Sequence, residues 1–301
     1  MAVVPQLKRL ALVVHPRRSI IGPLETLERW AGSHGIEIVQ VPGVGRLYRE
    51  VAEPGEVESG DLVIALGGDG TVLAALRISA PKEVPVLGVA CGSLGALTAV
   101  PAEQLDQSLE RVLAGDWIPR RLPAIGIEPA DAPAQWAVND FVVTRRGAGQ
   151  VVVDLSVDDQ LYVRMAGDGL IVATPVGSSA YSMAAGGPLL VPGTPALVCT
   201  PLAMHGGSAP PLVVPGELGI RAQVYPSFAG FDVEIDGQTQ SVQARDYRLS
   251  MHEGKVTLVS FGELGLGLSG LRKRGLISDS PRVLARDARD LVPADQTRPP
   301  A

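Results

Sequence analysis

A glycine-rich run with one acid in its middle is the first feature of this sequence that could carry chemistry. Residues 67–71 read Gly-Gly-Asp-Gly-Thr and directly follow the apolar residues 62–66, Leu-Val-Ile-Ala-Leu. A helical pattern of apolar residues begins immediately afterwards, at Val72. Such a turn between a strand and a helix binds phosphate, because small residues let the backbone approach and free N–H groups face the anion. The run therefore predicts a phosphate-binding loop.

The carboxylate of Asp69 does not fit a simple phosphate loop, because it would repel the anion that the glycines favour. An acid here could handle a hydroxyl group or a metal ion beside the phosphate, or it could only fix the turn. The run has neither the lysine of a Gly-x-x-x-x-Gly-Lys loop nor the spacing of a Gly-x-Gly-x-x-Gly fingerprint. From these five residues alone, both interpretations of Asp69 stay open.

A second run, rich in hydroxyl groups, lies in the second half of the chain. Gly167-Asp168-Gly169 precedes the apolar residues 170–173, and residues 174–188 read Thr-Pro-Val-Gly-Ser-Ser-Ala-Tyr-Ser-Met-Ala-Ala-Gly-Gly-Pro. Hydroxyls, glycines and one aromatic ring suit sugar hydroxyls and a planar base better than an apolar ligand. Hydrolase chemistry has no support here, because Ser179 is not part of a Gly-x-Ser-x-Gly elbow.

Taken together, these runs resemble the signatures of the NAD kinase family. Those signatures are Gly-Gly-Asp-Gly-Thr, then an Asn-Glu pair, then Asp-Gly followed by Thr-Pro-Thr-Gly-Ser-Thr-Ala-Tyr. The resemblance keeps this order from about residue 10 to about residue 283, and the long last signature is highly specific, whereas lipid kinases share the first. Asn139-Asp140 matches the Asn-Glu pair with Asp in place of Glu, and Val176 and Ser179 stand where the last signature has Thr. Residues 91–98 resemble the family's Gly-x-Leu-Gly-Phe-Leu-Thr element, with Ala96 in place of the aromatic residue.

The resemblance implies transfer of the γ-phosphoryl group of ATP to the 2′-hydroxyl of the adenosine ribose of NAD, with Mg²⁺ as cofactor. Phosphoryl transfer needs mainly positioning and charge neutralisation, with a carboxylate that accepts the proton of the nucleophile. Asp69 is the catalytic residue implied, and no residue is assigned as a metal ligand. The residues expected to bind the nucleotides are Gly68, Asp69, Gly70, Thr71, Asn139, Asp140, Asp168, Thr174, Ser179, Ala180, Tyr181 and Ser182.

Several of these residues also have a purely structural interpretation. Asn139 offers the donor and the acceptor that base recognition needs. Asp140 is one methylene shorter than the family's Glu and could instead form a turn at the start of a strand. Tyr181 could be a core residue, Asp168 could fix a loop, and Thr71 could cap its helix rather than touch the donor phosphate.

Other polar residues are weaker candidates. Three arginines could meet phosphates, although we expect at least two of them to be solvated: Arg145, Arg146 and Arg164. His205 is expected to be structural rather than an acid or base. The turn Asp236-Gly237-Gln238 either closes the dinucleotide pocket or is an ordinary hairpin turn. The family resemblance links a small residue at Ala166 to use of the reduced cofactor, so we expect some acceptance of NADH.

The elements that must position these residues change character near residue 100. Apolar runs at residues 10–14, 36–39, 61–66 and 86–89 alternate with helical patterns, which predicts an α/β domain over residues 1–100 with a doubly wound, mostly parallel sheet. In such sheets ligands bind at the carboxyl ends of the strands, where the glycine-rich run lies. Residues 91–98 are either a connection between domains or a direct ligand contact.

Short strands with turn residues between them predict a β-rich, NAD-binding domain over residues 101–267. We expect turns at Asp158-Asp159, Asp236-Gly237 and His252-Glu253-Gly254. The resemblance implies that residues 268–284 return to pack on the first domain. Residues 285–301, rich in Asp, Arg and Pro, are expected to be disordered.

Composition limits the class of protein and its partners. With 301 residues, 46% hydrophobic and 19% charged, the chain is typical of a soluble protein of two domains. A net charge of −6 without a basic run predicts no nucleic-acid partner. Two cysteines predict no disulfide framework, and the absence of a long apolar run predicts a cytoplasmic protein without a membrane partner.

The sequence leaves other functions and partners open. The departures at Ala96, Asp140 and Val176 would fit a non-catalytic regulatory protein that binds NAD(P) without turnover. A related kinase that acts on a lipid or another alcohol would leave residues 174–188 unexplained. Polyphosphate as an alternative donor to ATP leaves no residue signal. The resemblance implies a homo-oligomer, a dimer or a tetramer.

Overall fold

The computed structural model describes residues 7–42, 49–226, 228–241, 243–262, 271–272 and 275–284. The chain divides into two compact units, residues 1–264 and residues 265–301. In the second unit, Arg272 Nη1 donates a hydrogen bond to Asp279 Oδ2 at 2.6 Å. The predicted packing of residues 268–284 on the first domain stays a prediction, as do the predicted domain boundaries, and the tail expected to be disordered lies outside the described residues.

The described part of the first unit contains both α-helices and β-strands. Its α-helices are α1 (Ile21–His34), α2 (Asp69–Ser79), α3 (Leu105–Leu113) and α4 (Tyr181–Ala184). Its strands are β1 (Arg9–Val14), β2 (Glu37–Gln40), β3 (Leu62–Gly67), β4 (Pro85–Ala90), β5 (Val100–Pro101), β6 (Ile118–Pro129), β7 (Gln135–Ala137), β8 (Asp140–Arg145), β9 (Val151–Val157), β10 (Gln160–Gly167), β11 (Gly169–Ala173), β12 (Ala196–Leu202), β13 (Leu212–Pro215), β14 (Ile220–Tyr225), β15 (Phe231–Ile235), β16 (Gln238–Thr239) and β17 (Asp246–Ser260).

The first third of the chain forms parallel strands with helices on both faces. Strands β2, β1, β3 and β4 are neighbours in that order, and all three pairings are parallel. Leu62, Ile64 and Leu66 of β3 pack in one buried cluster with residues of α1 and α3. The alternate residues Val63 and Ala65 point to the opposite face, which α2 covers. The predicted doubly wound, mostly parallel arrangement is confirmed.

Strands from the second half of the chain extend this sheet on the side of β4. Among the described residues the order is β10-β9-β14-β17-β4-β3-β1-β2, with β5 on β4, β6 on β17 and β7 on β6. β17 pairs in parallel with β4 and antiparallel with β6 and β14. The turn predicted at residues 252–254 is wrong, because β17 runs through these residues with a change of register between His252 and Val256.

The β-rich part adds a second, antiparallel sheet in the order β13-β12-β11-β8-β15-β16, which confirms the predicted β-rich region. Phe141 and Val143 of β8 pack in one buried cluster with residues of β9 and β14, so the two sheets share a core. The two-residue turns at 158–159 and 236–237 are confirmed as hairpins, and their four residues have the positive φ angles that such turns need. None of the described helices is long and apolar enough to cross a membrane.

Candidate active site

The glycine-rich loop occupies the end of β3 and the start of α2. A Cβ at Gly67 would overlap the Thr71 hydroxyl, so glycine is needed there to let Thr71 pack, largely buried, beneath the loop. Gly70, in contrast, is exposed and has no atom within 4 Å of where a Cβ would stand. The N–H groups of Asp69 and Gly70 have no acceptor within the helix, because the first turn lacks the preceding carbonyls. The start of α2 therefore combines backbone N–H groups that the helix does not use with open space at Gly70.

The Asp69 carboxylate is held by the backbone of residues 91–98. Ala96 N donates to Oδ2 and Leu97 N donates to Oδ1, each at 2.9 Å. Gly95 must be glycine, since a Cβ there would overlap the same carboxylate. Each oxygen accepts one N–H group and keeps a lone pair for another donor. Residues 91–98 are thus fixed to the acid, a contact that the sequence did not predict.

Arg18 lies beside this loop, and sequence reasoning missed it. Its Nη1 donates to the Cys91 carbonyl at 3.3 Å. A Cβ at Gly68 would stand 3.5 Å from its Cζ, Nη1 and Nη2. The residues around it, His-Pro-Arg-Arg at 15–18, directly follow β1, whose carboxyl end lies next to that of β3. This position at the end of a parallel strand is the signal that could have found it.

A second group of predicted residues gathers where β8 begins. Asp236 Oδ1 accepts hydrogen bonds from the backbone N–H groups of Val138 at 3.0 Å, Asn139 at 2.7 Å and Asp140 at 3.2 Å. These bonds fix the backbone, while the Asn139 Oδ1 atom is buried and has no hydrogen-bond partner in the described part of the chain. A buried amide oxygen without a donor is costly, so a ligand N–H group would satisfy it.

The carboxyl group of Asp140 is buried, with 5% of the residue exposed. Burial raises its pKa to about 7, and the nearby charges of Asp236 and Glu234 act in the same direction. Burial also raises the pKa of Asp236, but three backbone N–H donors and the charge of Arg77 oppose that shift. Because these donors stabilise the ionised form of Asp236, Asp140 is the member of the pair that carries the proton.

In residues 174–182, several of the predicted hydroxyls are used inside the protein. Thr174 Oγ1 is fully buried, donates to the Val138 carbonyl at 2.7 Å and accepts from Gly177 N at 3.1 Å. Ser182 is also buried, and its hydroxyl lies 2.8 Å from the Thr200 hydroxyl. These bonds hold the turn against residues 138–139, so Thr174 and Ser182 lie behind the surface that a ligand could reach.

Three neighbouring residues of the same turn remain accessible. Ser179 is partly exposed, and its hydroxyl donates to the Val176 carbonyl at 3.1 Å within the same turn. Ala180 is partly exposed, and Tyr181 is 45% exposed with its ring outside the buried clusters. The core interpretation of Tyr181 is therefore not supported. An exposed aromatic ring near polar groups can stack on a planar base.

Asp168 does not join this group. The register pairs Asp140 with Ala173 and Thr144 with Gly169, so Asp168 precedes the far end of β11. Six residues of extended chain separate it from Thr174, a distance of about 20 Å. Its carboxylate accepts a hydrogen bond from Arg145 Nε at that end. One ribose cannot contact both Asp140 and Asp168 of the same chain.

The other weak candidates have partners within the protein. Arg145 pairs with Asp168, Arg146 with Asp232, and Arg164 with the buried Asp154. His205 is exposed, and its Nδ1 lies 3.4 Å from Gln150 Oε1. These contacts favour structural roles for all four side chains.

Arg77 connects the helix of the glycine-rich loop to the hairpin that supports residues 138–140. The side chain is buried near the end of α2, where Nη1 donates to the Ile235 carbonyl at 2.8 Å and Nη2 donates to Gln238 Oε1 at 2.6 Å. Asp236, which holds residues 138–140, lies in the turn between these two partners. The two groups of predicted residues therefore share one chain of contacts, and sequence reasoning missed Arg77.

Comparisons with known proteins identify the family that this chain matches. Residues 10–117 match the model of the ATP-NAD kinase N-terminal domain, and residues 138–260 match that of the ATP-NAD kinase C-terminal domain. An NAD kinase of Koribacter versatilis is 34% identical over 248 residues, 77% of this chain and 85% of that protein. An NAD kinase of Heliobacterium modesticaldum is 41% identical over 186 residues, which is 59% of this chain but only 65% of that protein.

Two solved structures have the same fold. Yeast NADH kinase complexed with NADH superposes with a TM-score of 0.72 at 21% identity, covering 91% of this chain and 89% of that one. An NAD kinase from Archaeoglobus fulgidus in complex with ATP superposes with a TM-score of 0.66 at 22% identity, covering 90% of this chain and 100% of that one.

Proposed function

Because the chain belongs to the NAD kinase family, we propose that it transfers the γ-phosphoryl group of ATP to the 2′-hydroxyl of the adenosine ribose of NAD, forming NADP. The observation that carries the proposal is the Asp69 carboxylate, fixed by Ala96 N and Leu97 N at the N-terminus of α2. A family assignment alone would not distinguish an active kinase from a binding protein. The Asp69 carboxylate, held in place beside the backbone N–H groups at the start of α2, supports an active kinase.

In the proposed reaction, Asp69 orients the ribose hydroxyl and accepts its proton. Both carboxylate oxygens already accept one backbone N–H group, and these bonds set the direction of the remaining lone pairs. The phosphate chain of ATP lies at the N–H groups of Asp69 and Gly70, where the helix dipole favours negative charge. A positioned base of this kind contributes about a hundredfold to ten-thousandfold to the rate.

The acceptor nucleotide lies at the second group of residues. Asn139 Oδ1 is a buried acceptor without a partner in the described chain, and it accepts a hydrogen bond from the amino group of adenine. The carboxyl group of Asp140, which has a pKa of about 7, binds a ribose hydroxyl either as donor or as acceptor. Tyr181 and the backbone at Ser179 and Ala180 form the exposed side of this pocket.

The Mg²⁺ ion expected with ATP would be held chiefly by the phosphates of the nucleotide. No group of three or more His, Cys, Asp or Glu side chains that could hold a metal ion occurs among the described residues. Magnesium characteristically keeps several waters and binds through one or two carboxylates together with substrate phosphates. When bound, such an ion would neutralise charge on the transferred phosphoryl group, and no side chain of the described chain is assigned as its ligand.

Other parts of the sequence-based interpretation remain predictions. They comprise the cytoplasmic location, the homo-oligomer, polyphosphate as a second donor, and some acceptance of NADH linked to Ala166. The chain spans 65% and 62% of the length of two NAD kinases that it matches at about 40% identity, from Heliobacterium modesticaldum and Moorella thermoacetica. Substrates and partners of the whole protein are therefore proposed rather than assigned.

The test is NADP formation by the purified chain with NAD, ATP and Mg²⁺, compared with the Asp69→Asn variant. We expect the variant to lose at least two orders of magnitude in kcat and to retain NAD binding within about threefold. The matched control is Asp106→Asn, an exposed acid in the first turn of α3, which should leave the rate unchanged. Parallel assays with NADH and with polyphosphate test the two substrate predictions.

Two outcomes would contradict the proposal. Wild-type protein that binds NAD but forms no NADP would favour a regulatory binding protein. Activity that saturates with a lipid alcohol but not with NAD would favour the related lipid kinases.

A further inference from the structure

The backbone of Arg18 is held at both of its polar groups. Its N–H group and that of Arg17 donate to His15 Nδ1, at 3.0 and 3.1 Å. Its carbonyl accepts from Arg49 Nη1 at 3.0 Å. The segment between β1 and α1 is therefore ordered by specific bonds, and the Arg18 side chain starts from a fixed point. Such preorganisation reduces the entropy lost when the side chain binds a ligand.

The guanidinium group of Arg18 lies between two glycines that leave room for it. At Gly68 a Cβ would stand 3.5 Å from Cζ, and at Gly92 it would stand 2.8 Å from Nη1. Gly68 precedes Asp69 at the phosphate loop, and Gly92 belongs to the residues 91–98 that hold the Asp69 carboxylate. The cation thus spans both loops of the proposed donor site.

The charge of Arg18 is not neutralised by a carboxylate of the described chain. Its one hydrogen bond to a protein acceptor among these residues is the 3.3 Å contact with the Cys91 carbonyl. Many other arginines are ion-paired, among them Arg9, Arg145, Arg146, Arg164 and Arg221. In a protein with a net charge of −6, a free cation at this loop provides the local positive charge that a polyphosphate needs.

We propose that Arg18 is the residue that binds the phosphate chain of the donor nucleotide, opposite the N-terminus of α2, and so sets the affinity for ATP. This inference rests on the proposed function. A guanidinium group binds phosphate oxygens through two parallel N–H bonds, and its charge is permanent. The backbone N–H groups of α2 and Arg18 then approach the same phosphates from two sides, while Asp69 is left to the acceptor hydroxyl.

The experiment compares Arg18→Gln and Arg18→Lys with the neighbouring control Arg17→Gln. We expect Arg18→Gln to raise the KM for ATP about 10- to 100-fold, since a charge-assisted hydrogen-bond pair is lost. The KM for NAD should change less than about threefold. Arg18→Lys should be intermediate, because lysine keeps the charge but not the two-pronged geometry. Arg17 is exposed and next in sequence, so Arg17→Gln measures the nonspecific loss of one charge.

Direct binding of Mg-ATP, measured by calorimetry, separates this inference from the proposed function. If wild-type protein makes no NADP but binds Mg-ATP, and Arg18→Gln weakens that binding, the kinase assignment fails and the role of Arg18 stands. Equal ATP affinity in Arg18→Gln and Arg17→Gln would overturn the inference, and so would an increase in the KM for NAD as large as that for ATP. Unchanged melting temperatures show that the exposed variants are folded.

Discussion

At the scale of single residues, Asp140 and Asp236 show how one backbone can support two carboxyl groups with opposite requirements. Asp236 is surrounded by backbone N–H donors and carries the charge that holds residues 138–140 in place. Asp140 follows directly and is buried beside that charge, so its ionised form is disfavoured. The shorter side chain at this position therefore need not be a defect, because a protonated Asp140 can donate to a ribose oxygen.

This difference leads to a prediction for stability. The pKa of Asp140 is raised from 3.8 to about 7, so between these pH values the folded protein holds a proton that the unfolded chain releases. Stability then falls as the pH rises through this window, and the full loss is present above pH 7. We expect Asp140→Asn to be more stable than wild type at pH 8, by up to about 4 kcal/mol, with the difference vanishing near pH 4.

Thermal unfolding at pH 4, 6 and 8 measures this effect. The control is Asp159→Asn, which changes an exposed acid in a turn where asparagine also tolerates the positive φ of 61°. A lower melting temperature for Asp140→Asn at pH 8 would show that the carboxylate is stabilising and would refute this account.

Single residues also mark the limit of sequence reasoning. Asp69 was predicted because a carboxylate in a glycine-rich, phosphate-binding turn suits the handling of a hydroxyl group beside the phosphate. Its partners, Ala96 N and Leu97 N, could not be predicted, since any residue can supply a backbone N–H group and only the fold brings the loop there. Thr174 and Ser182 were predicted as ligand contacts because of their hydroxyl groups. A hydroxyl can equally form hydrogen bonds that stabilise a turn, as both do here.

At the scale of elements, α2 links the two halves of the site. Asp69 begins the helix, and Arg77 near its end donates to the Ile235 carbonyl and to Gln238 Oε1. Burial lowers the pKa of Arg77, and the charge of Asp236 opposes this shift, which keeps the guanidinium compatible with its buried position. The hairpin of β15 and β16 thereby holds residues 138–140 in a fixed relation to the helix.

We therefore expect Arg77→Met to impair binding of NAD more than binding of ATP. Methionine fills much of the volume but leaves the Ile235 carbonyl and Gln238 Oε1 without their donors, which should destabilise the fold by about 1–3 kcal/mol. The hairpin and residues 138–140 then become less ordered, so the KM for NAD should rise about tenfold while the KM for ATP changes less than threefold. Arg29→Met, on the exposed face of α1, is the control. Equal increases in both KM values would contradict a positioning role.

Helices and strands that have a clear local sequence pattern were predictable, whereas a strand that pairs with distant segments was harder to predict. The parallel strands of the first third follow from apolar runs and helical periodicity alone. The single strand β17 does not, because His252-Glu253-Gly254 has the composition of a turn and is accommodated instead by a change of register. The pairing of β17 with β4 joins residues far apart in the chain, and local patterns contain no information about such pairings.

At the scale of the whole first unit, β17 joins what the sequence suggested were two separate domains. It lies between β4 of the parallel strands and β14 of the β-rich part, and it forms a long antiparallel ladder with β6. The buried cluster around Leu12 and the cluster around Phe141 are therefore attached to one continuous sheet. Loss of either cluster would remove neighbours that β17 needs, which couples their unfolding.

We accordingly predict one unfolding transition for both clusters, although a unit of this size would often show two. Leu12→Ala and Phe141→Ala should each lower the free energy of unfolding by about 2–5 kcal/mol. Each should shift, by the same amount, the denaturation midpoint seen by Trp30 in the first cluster and by Trp136 on β7. Variants that keep one tryptophan, with phenylalanine at the other two positions, separate the two signals. If Leu12→Ala shifted only the Trp30 midpoint, the clusters would unfold independently, and β17 would be a shared strand without energetic coupling.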